Sequence, residues 1–172
     1  MSRVFISYRR SDTGYVARML ADRLNEEFGE GSVFMDIDNI PFGVDFRDHI
    51  AQAVGQAGVV LALIGDDWID AKSAEGVRRL DDSGDFVRIE LQSALERGIP
   101  VIPVLGGDAK MPNEQQLPPS LARLAYRNAA ELRPGRNLPA QLQELIDALK
   151  KLLKSSQESG ASEHQGPSPA SQ

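Results

Sequence analysis

The sequence predicts an α/β fold: a flavodoxin-like, five-stranded parallel sheet in the order 2-1-3-4-5, with helices on both faces. Three observations lead to it. Short apolar runs alternate with helical stretches along the chain. The run from Gly58 to Ile64, GVVLALI, is apolar at almost every position, as a strand covered on both faces must be. The stretch from Asp85 to Leu105 reads as a helix that turns at Gly98 and Pro100 into a second fully buried strand. Such repeated βα units join into a parallel sheet through right-handed crossovers.

The elements follow in order. Val4 to Tyr8 is a short strand that ends in the basic pair Arg9 and Arg10. Asp12 or Thr13 is expected to cap the next helix, in which Val16, Leu20, Leu24 and Phe28 fall four apart before Gly29 and Gly31 end it. Ser32 to Met35 forms the second strand, closing on Asp36, and a loop rich in turn formers runs through Pro41 and Gly43. The second helix carries Phe46, Ile50, Ala53, Val54 and Ala57 at helical spacing. Gly58 to Ile64 then belongs near the centre of the sheet. The passage from Gly65 to Gly84 is long and polar and holds the only tryptophan, Trp68, with room for a short helix between Trp68 and Leu80.

The third helix presents Val87, Leu91, Ala94 and Leu95 on one face, and Val101 to Leu105 is the strand after it. Gly106 to Pro119 reads as loop and Asn128 to Leu132 as an edge strand. Leu138, Leu142, Leu145, Ile146, Leu149, Leu152 and Leu153 mark a closing amphipathic helix. Lys150, Lys151 and Lys154 suit the negative pole of its dipole. Residues 1–154 form one domain, and residues 155–172, a Ser/Gln/Pro/Gly-rich tail without large aliphatics, are expected to be disordered.

Composition narrows the function. With 172 residues, 41% of them hydrophobic, the chain can bury one sizeable core. A net charge of −6 disfavours nucleic acid as a partner. The absence of cysteine removes disulfides, thiolate metal sites and thiol nucleophiles. No secretory signal and no run of transmembrane length is visible, so a cytoplasmic protein without a membrane partner is expected. Neither a phosphate-binding P-loop nor a G-x-G-x-x-G turn is present. The two histidines, His49 and His164, are too few for a zinc site and badly placed for a Ser/His/Asp triad, and no metal is expected. A phosphoacceptor receiver of this fold would need acidic residues after the first strand, where this chain has Tyr8, Arg9 and Arg10.

Ligands in such sheets bind at the carboxyl ends of the strands, beside the point where strand order reverses. That groups Arg9, Arg10, the loop after Asp36 and Trp68 around one crevice. The basic pair suits an anionic ligand; its other reading is a solvated turn. Glu90 borders the apolar face of the third helix, one turn after Phe86. Periodicity alone makes it an ordinary surface glutamate, and its aromatic neighbour makes it a candidate for a cleft wall.

The segments VFISYRRSD, VFMDIDNIPFG and DFVRIELQSALERGIPVIPVL, in that order and at matching spacing, resemble the three signature regions of the Toll/interleukin receptor (TIR) domain in its bacterial form, over about residues 3 to 154. The resemblance implies one of two activities. Some members assemble signalling complexes through TIR contacts; others cleave NAD+ at the nicotinamide bond, in signalling or defence. In the enzymatic members the catalytic residue is a glutamate in a W-V-x-x-E pattern. The matching residues are Phe86, Val87, Arg88, Ile89 and Glu90, so the resemblance makes Glu90 catalytic, with Phe86 in place of the aromatic that stacks on the nucleotide. It implies substrate-binding roles for Arg9 and Arg10, and for Asp36, Gly43 and Phe46 in or beside a loop that gates the pocket and takes part in self-association.

On this resemblance NAD+ is substrate and no cofactor is required. The expected partners are NAD+, further copies of the chain and other TIR domains. One carboxylate suffices because the leaving group is a pyridinium that departs as neutral nicotinamide, so the general acid that glycosidases need falls away. What remains is positive charge developing on the ribose, which a carboxylate can stabilise.

Overall fold

The computed structural model of the protein describes residues 3–35 and 40–161. Asp36 and residues 162–172 of the expected tail lie outside them.

Five strands, β1 (Val4–Ser7), β2 (Val33–Phe34), β3 (Val59–Ile64), β4 (Val101–Gly106) and β5 (Ala130–Leu132), form one sheet in the order β2-β1-β3-β4-β5. Every pairing is parallel, as predicted, and β3 is the central strand. All six residues of β3 are buried. Val59, Leu61 and Leu63 pack with α1 (Arg10–Phe28) and α4 (Leu138–Ala161) on one side. Val60, Ala62 and Ile64 pack with α2 (Phe46–Gly55) and α3 (Phe86–Glu96) on the other. The period-two alternation of a strand thus feeds two separate cores. The edge strand β2 is only two residues long, shorter than the predicted Ser32 to Met35, and is held by the ring of Phe34 standing edge-on to Phe5 with centroids 5.0 Å apart.

Several local expectations are corrected. The N-cap of α1 is Arg9, not Asp12 or Thr13. Asp12 instead reaches across to the end of β3, where its carboxylate accepts the N–H groups of Gly65 and Asp67, each at 3.0 Å. Glycine at 65 makes room for it, since a Cβ there would stand 2.4 Å from the carboxylate. Burial raises the Asp12 carboxyl above its ordinary 3.8, outweighing the two N–H donors that pull it down. The same device repeats one strand further on, where Asp66 accepts the Asp108 N–H at 2.9 Å. Arg133 closes the row by donating to the carbonyls of Gly107 and Ala109, both at 2.8 Å. Side chains thus clamp the loops at the carboxyl edge of the sheet to one another.

No α-helix forms between Trp68 and Leu80. The segment holds an isolated bridge between Lys72 and Arg78 and a single 3-10 turn at Arg79–Asp81. Trp68 lies in the core beneath this segment, fully buried, and does not border the crevice; burying an indole outweighs displaying it. A 3-10 helix that periodicity did not predict, Pro119–Tyr126, adds Leu121 and Leu124 to the same core. A second short one, Glu114–Gln116, stands inside the expected 106–119 loop.

The last helix extends past the predicted boundary at 154, to Ala161. Ser155, Ser156 and Ser159 each return their hydroxyl to the carbonyl four residues back, so polarity alone did not end the helix. Lys150 is therefore mid-helix, where it pairs with Glu27 of α1.

One interaction ties the two sides of the crevice together. Arg9, leaving β1, donates from Nη1 and Nη2 to the two oxygens of Asp85, both at 2.9 Å. The side chains of the pair are 3% and 10% exposed. Asp85 is also the N-cap of α3, accepting the Arg88 N–H at 3.1 Å. The start of α1 and the start of α3 are thereby fixed to each other.

Asp85→Ala should lower the unfolding free energy by about 3–5 kcal/mol, because it strands a buried guanidinium and removes a helix cap. Asp12→Ala should cost less, about 1–3 kcal/mol for two N–H groups left without their acceptor. Urea denaturation of both variants measures this. Because the folded state holds the Asp12 proton more tightly than the unfolded chain, wild type should lose stability relative to Asp12→Asn as pH rises above 3.8 and through the folded-state pKa.

Candidate active site

The crevice predicted at the strand ends exists. A cleft of about 630 Å³ is lined by Tyr8, Arg9, Arg10 and Ser11 after β1, by Ser73, Ala74, Arg79 and Asp82 of the long passage after β3, and by Gly84 to Val87 at the start of α3. Three of the sequence-predicted site residues, Arg9, Arg10 and Phe86, therefore meet on one surface. A second hollow of about 720 Å³, lined by Gly43 to Arg47 and Asp82 to Gly84, shares Asp82 and Gly84 with the first. Gly43 and Phe46 belong to it. The rings of Phe46 and Phe86 face each other with centroids 5.5 Å apart and planes inclined by 31°, forming the wall where the two hollows meet. Both rings are exposed on their outer sides, Phe86 to 45%.

The roles of the two arginines separate. The charge of Arg9 is matched by Asp85, and its guanidinium holds the cleft walls together. Arg10 opens α1 and is exposed on the cleft surface.

Glu90 is not the surface residue that periodicity favoured. It is 7% exposed, on the side of α3 that also carries Phe86 and Val87, one turn further in. Phe86 and Val87 line the cleft, and Glu90, one helical turn later, is not part of that lining. Serine at 93 shares this buried face, so the helix is less uniformly apolar than its stripe of Val87, Leu91, Ala94 and Leu95 suggested.

Sequence reasoning passed over Asp85, Asp82 and Arg79. An aspartate just before a helical pattern is a capping signal, which could have marked Asp85. Arg79 had no such signal, because its place on the cleft depends on how the long passage from 65 to 84 folds. A further cavity of about 520 Å³, between α4 and the β4 and β5 strands, contains none of the predicted site residues. Among the described residues no group of three or more His, Cys, Asp or Glu side chains could hold a metal ion. No described helix is long and apolar enough to cross a membrane.

Comparison with known proteins agrees with this architecture. Residues 4–146 match the sequence model of the TIR domain. The chain is 25% identical over 125 residues to the NAD(+) hydrolase sarm1 of Drosophila melanogaster, a match that covers 73% of this chain and 9% of that protein. The chain thus spans about a tenth of the length of that relative. Among solved structures it is similar to the TIR domains of the activated Roq1 resistosome, with a TM-score of 0.61 at 16% identity over 87% of this chain and 99% of that one. It is also similar to a metazoan TIR-STING receptor from C. gigas, with a TM-score of 0.52 at 19% identity over 81% of this chain and 38% of that one. At such identities the two structures share a fold with this protein. With a family match over most of its length and the sheet order to accompany it, the chain belongs to the TIR domain family.

Proposed function

We propose that the protein is an NAD+ glycohydrolase that breaks the bond between nicotinamide and ribose, with Glu90 as its catalytic residue. The observation that carries this reading is the burial of a carboxylate at 7% exposure one helical turn after the Phe86 that lines the cleft, in a chain whose curated relative is an NAD(+) hydrolase. Burying a carboxylate costs solvation energy, and perturbed acids of this kind cluster at functional sites.

The chemistry follows from the position. In this reading the nucleotide stacks on the Phe86 ring at the cleft wall and its ribose reaches toward Glu90, one helical turn further along α3. As the glycosidic bond lengthens, the bonding electron pair returns to the pyridinium nitrogen and leaves neutral nicotinamide, while positive charge spreads over C1 and the ring oxygen of the ribose. A carboxylate held in a site poor in water stabilises that charge electrostatically. Water then adds to C1 and loses a proton, giving ADP-ribose; attack by the adenine or a ribose hydroxyl gives a cyclic isomer instead. No step calls for a metal or cofactor. Arg10 is a substrate-binding residue on the cleft surface, and Gly43 and Phe46, which line the adjoining hollow, are substrate-binding residues as well, as the family resemblance also implies for Asp36. Signalling or defence, inside the cytoplasm, is the setting in which such NAD+ consumption would act.

Self-association belongs to the same reading. Phe42, Val44 and Phe46 are exposed apolar side chains within five residues of one another, in the loop before α2 and at its first position, and Val44 and Phe46 line the second hollow. Exposed apolar groups clustered in this way mark contact surfaces. The same loop favours a second reading, in which the chain is a non-enzymatic scaffold that recruits other TIR domains.

Two experiments decide between them. Glu90→Gln, which preserves volume and avoids the cavity of an alanine variant, should lower nicotinamide release from NAD+ by roughly 100-fold or more while leaving the far-ultraviolet circular dichroism unchanged. Chromatography of the products for wild type and variant side by side measures it, and wild type that releases no nicotinamide even at concentrations where it self-associates would leave only the scaffold reading. Phe42→Ser should weaken self-association in analytical ultracentrifugation and reduce activity in proportion, with thermal stability unchanged because the ring is fully exposed.

A further inference from the structure

We propose that Arg79 is a phosphate-binding residue of this cleft, taking the pyrophosphate of the dinucleotide. The inference rests on the NAD+-cleaving reading above and extends it to a residue outside the sequence signatures.

The cleft needs cationic groups for a dinucleotide, whose pyrophosphate carries two negative charges. Arg9 is poorly placed to supply one, because its charge is matched by Asp85 and its side chain is only 3% exposed. Arg79 lines the same cleft and is exposed, in the segment after β3. Among the described residues its side chain has neither an ion-pair partner nor a hydrogen bond.

Its backbone is nonetheless held on every side. The Arg79 N–H donates to the Ala71 carbonyl at 2.8 Å. Its neighbour Arg78 pairs with Asp81 through two nitrogens, at 2.9 and 2.8 Å, and donates a third bond to the Gln116 carbonyl at 2.6 Å. Its other neighbour, Leu80, is fully buried, and the Leu80 carbonyl accepts from Arg88 of α3 at 3.1 Å. An arginine with a fixed base and an uncommitted head is arranged to grip a ligand, because only the side chain remains to be ordered on binding. The planar fork of a guanidinium matches two phosphate oxygens at once. Asp82 shares the wall, and its Oδ1 is engaged by the Gly84 N–H at 2.9 Å. Arg79 is thus the cation whose fold-imposed position has no structural task of its own.

The test compares wild type, Arg79→Ala and Arg79→Lys on two substrates with the same scissile bond: NAD+, and nicotinamide riboside, which has no phosphate. Arg79→Ala should raise KM for NAD+ roughly tenfold or more, with kcat within about twofold of wild type. Its kcat/KM for nicotinamide riboside should match wild type, and Arg79→Lys should give an intermediate KM for NAD+. An unchanged KM for NAD+, or an equal loss on both substrates, would overturn the proposal.

Calorimetric titration with ADP-ribose separates this from the fate of the enzymatic reading. If wild type turns over neither substrate, that reading fails. The phosphate contact is then supported by ADP-ribose binding that weakens roughly tenfold in Arg79→Ala. Equal binding by both proteins, or no binding by wild type, would overturn it.

Discussion

A buried ion pair between two helix beginnings holds the functional end of this protein in shape. Arg9 and Asp85 come from segments far apart in sequence, and each would be costly to bury alone. Their two parallel bonds satisfy much of that cost and leave a geometry with little slack. Asp85 also caps α3, so the pair sets where that helix starts and hence where Phe86, Val87 and Glu90 stand. Pairs of this kind contribute less to net stability than to the choice of one arrangement over its competitors, and here the arrangement chosen is a cleft.

Around that pair the sheet edge is built by a repeated solution. Parallel strands end in loops whose N–H and C=O groups have lost their ladder partners. Asp12, Asp66 and Arg133 reach sideways to satisfy them, strand by strand, from β1 to β5. Asp12 is engaged in this way with the loop after β3, and the open cleft is lined by the residues after β1 and the start of α3.

The sequence made the sheet order and the apolar strand β3 readable because burial on both faces leaves an unbroken apolar run. It located Glu90 and Phe86 only through resemblance to a family, since helical periodicity placed the glutamate at a border and gave no reason to bury it. The surroundings of Glu90 depend on contacts between segments distant in sequence. The partner of Arg9 stands at position 85, and Arg79 reaches the cleft by way of a bridge from Lys72 to Arg78 and a single 3-10 turn. None of these has a periodic signature. Trp68 shows the opposite failure: a lone tryptophan in a polar passage looked like a site residue, whereas it anchors that passage to the core. The expected end of the last helix failed for a simpler reason, because serines in a terminal turn can bond to their own helix.

A double-mutant cycle of Arg9→Met and Asp85→Leu, read by both urea denaturation and nicotinamide release, tests the central claim most directly. If the pair builds the cleft, each single variant should lose much of its stability and activity, and the double variant should lose less stability than the sum of the two, with a coupling of about 1–3 kcal/mol, and should regain no activity. Additive losses of stability, or a double variant that releases nicotinamide at the wild-type rate, would contradict the account.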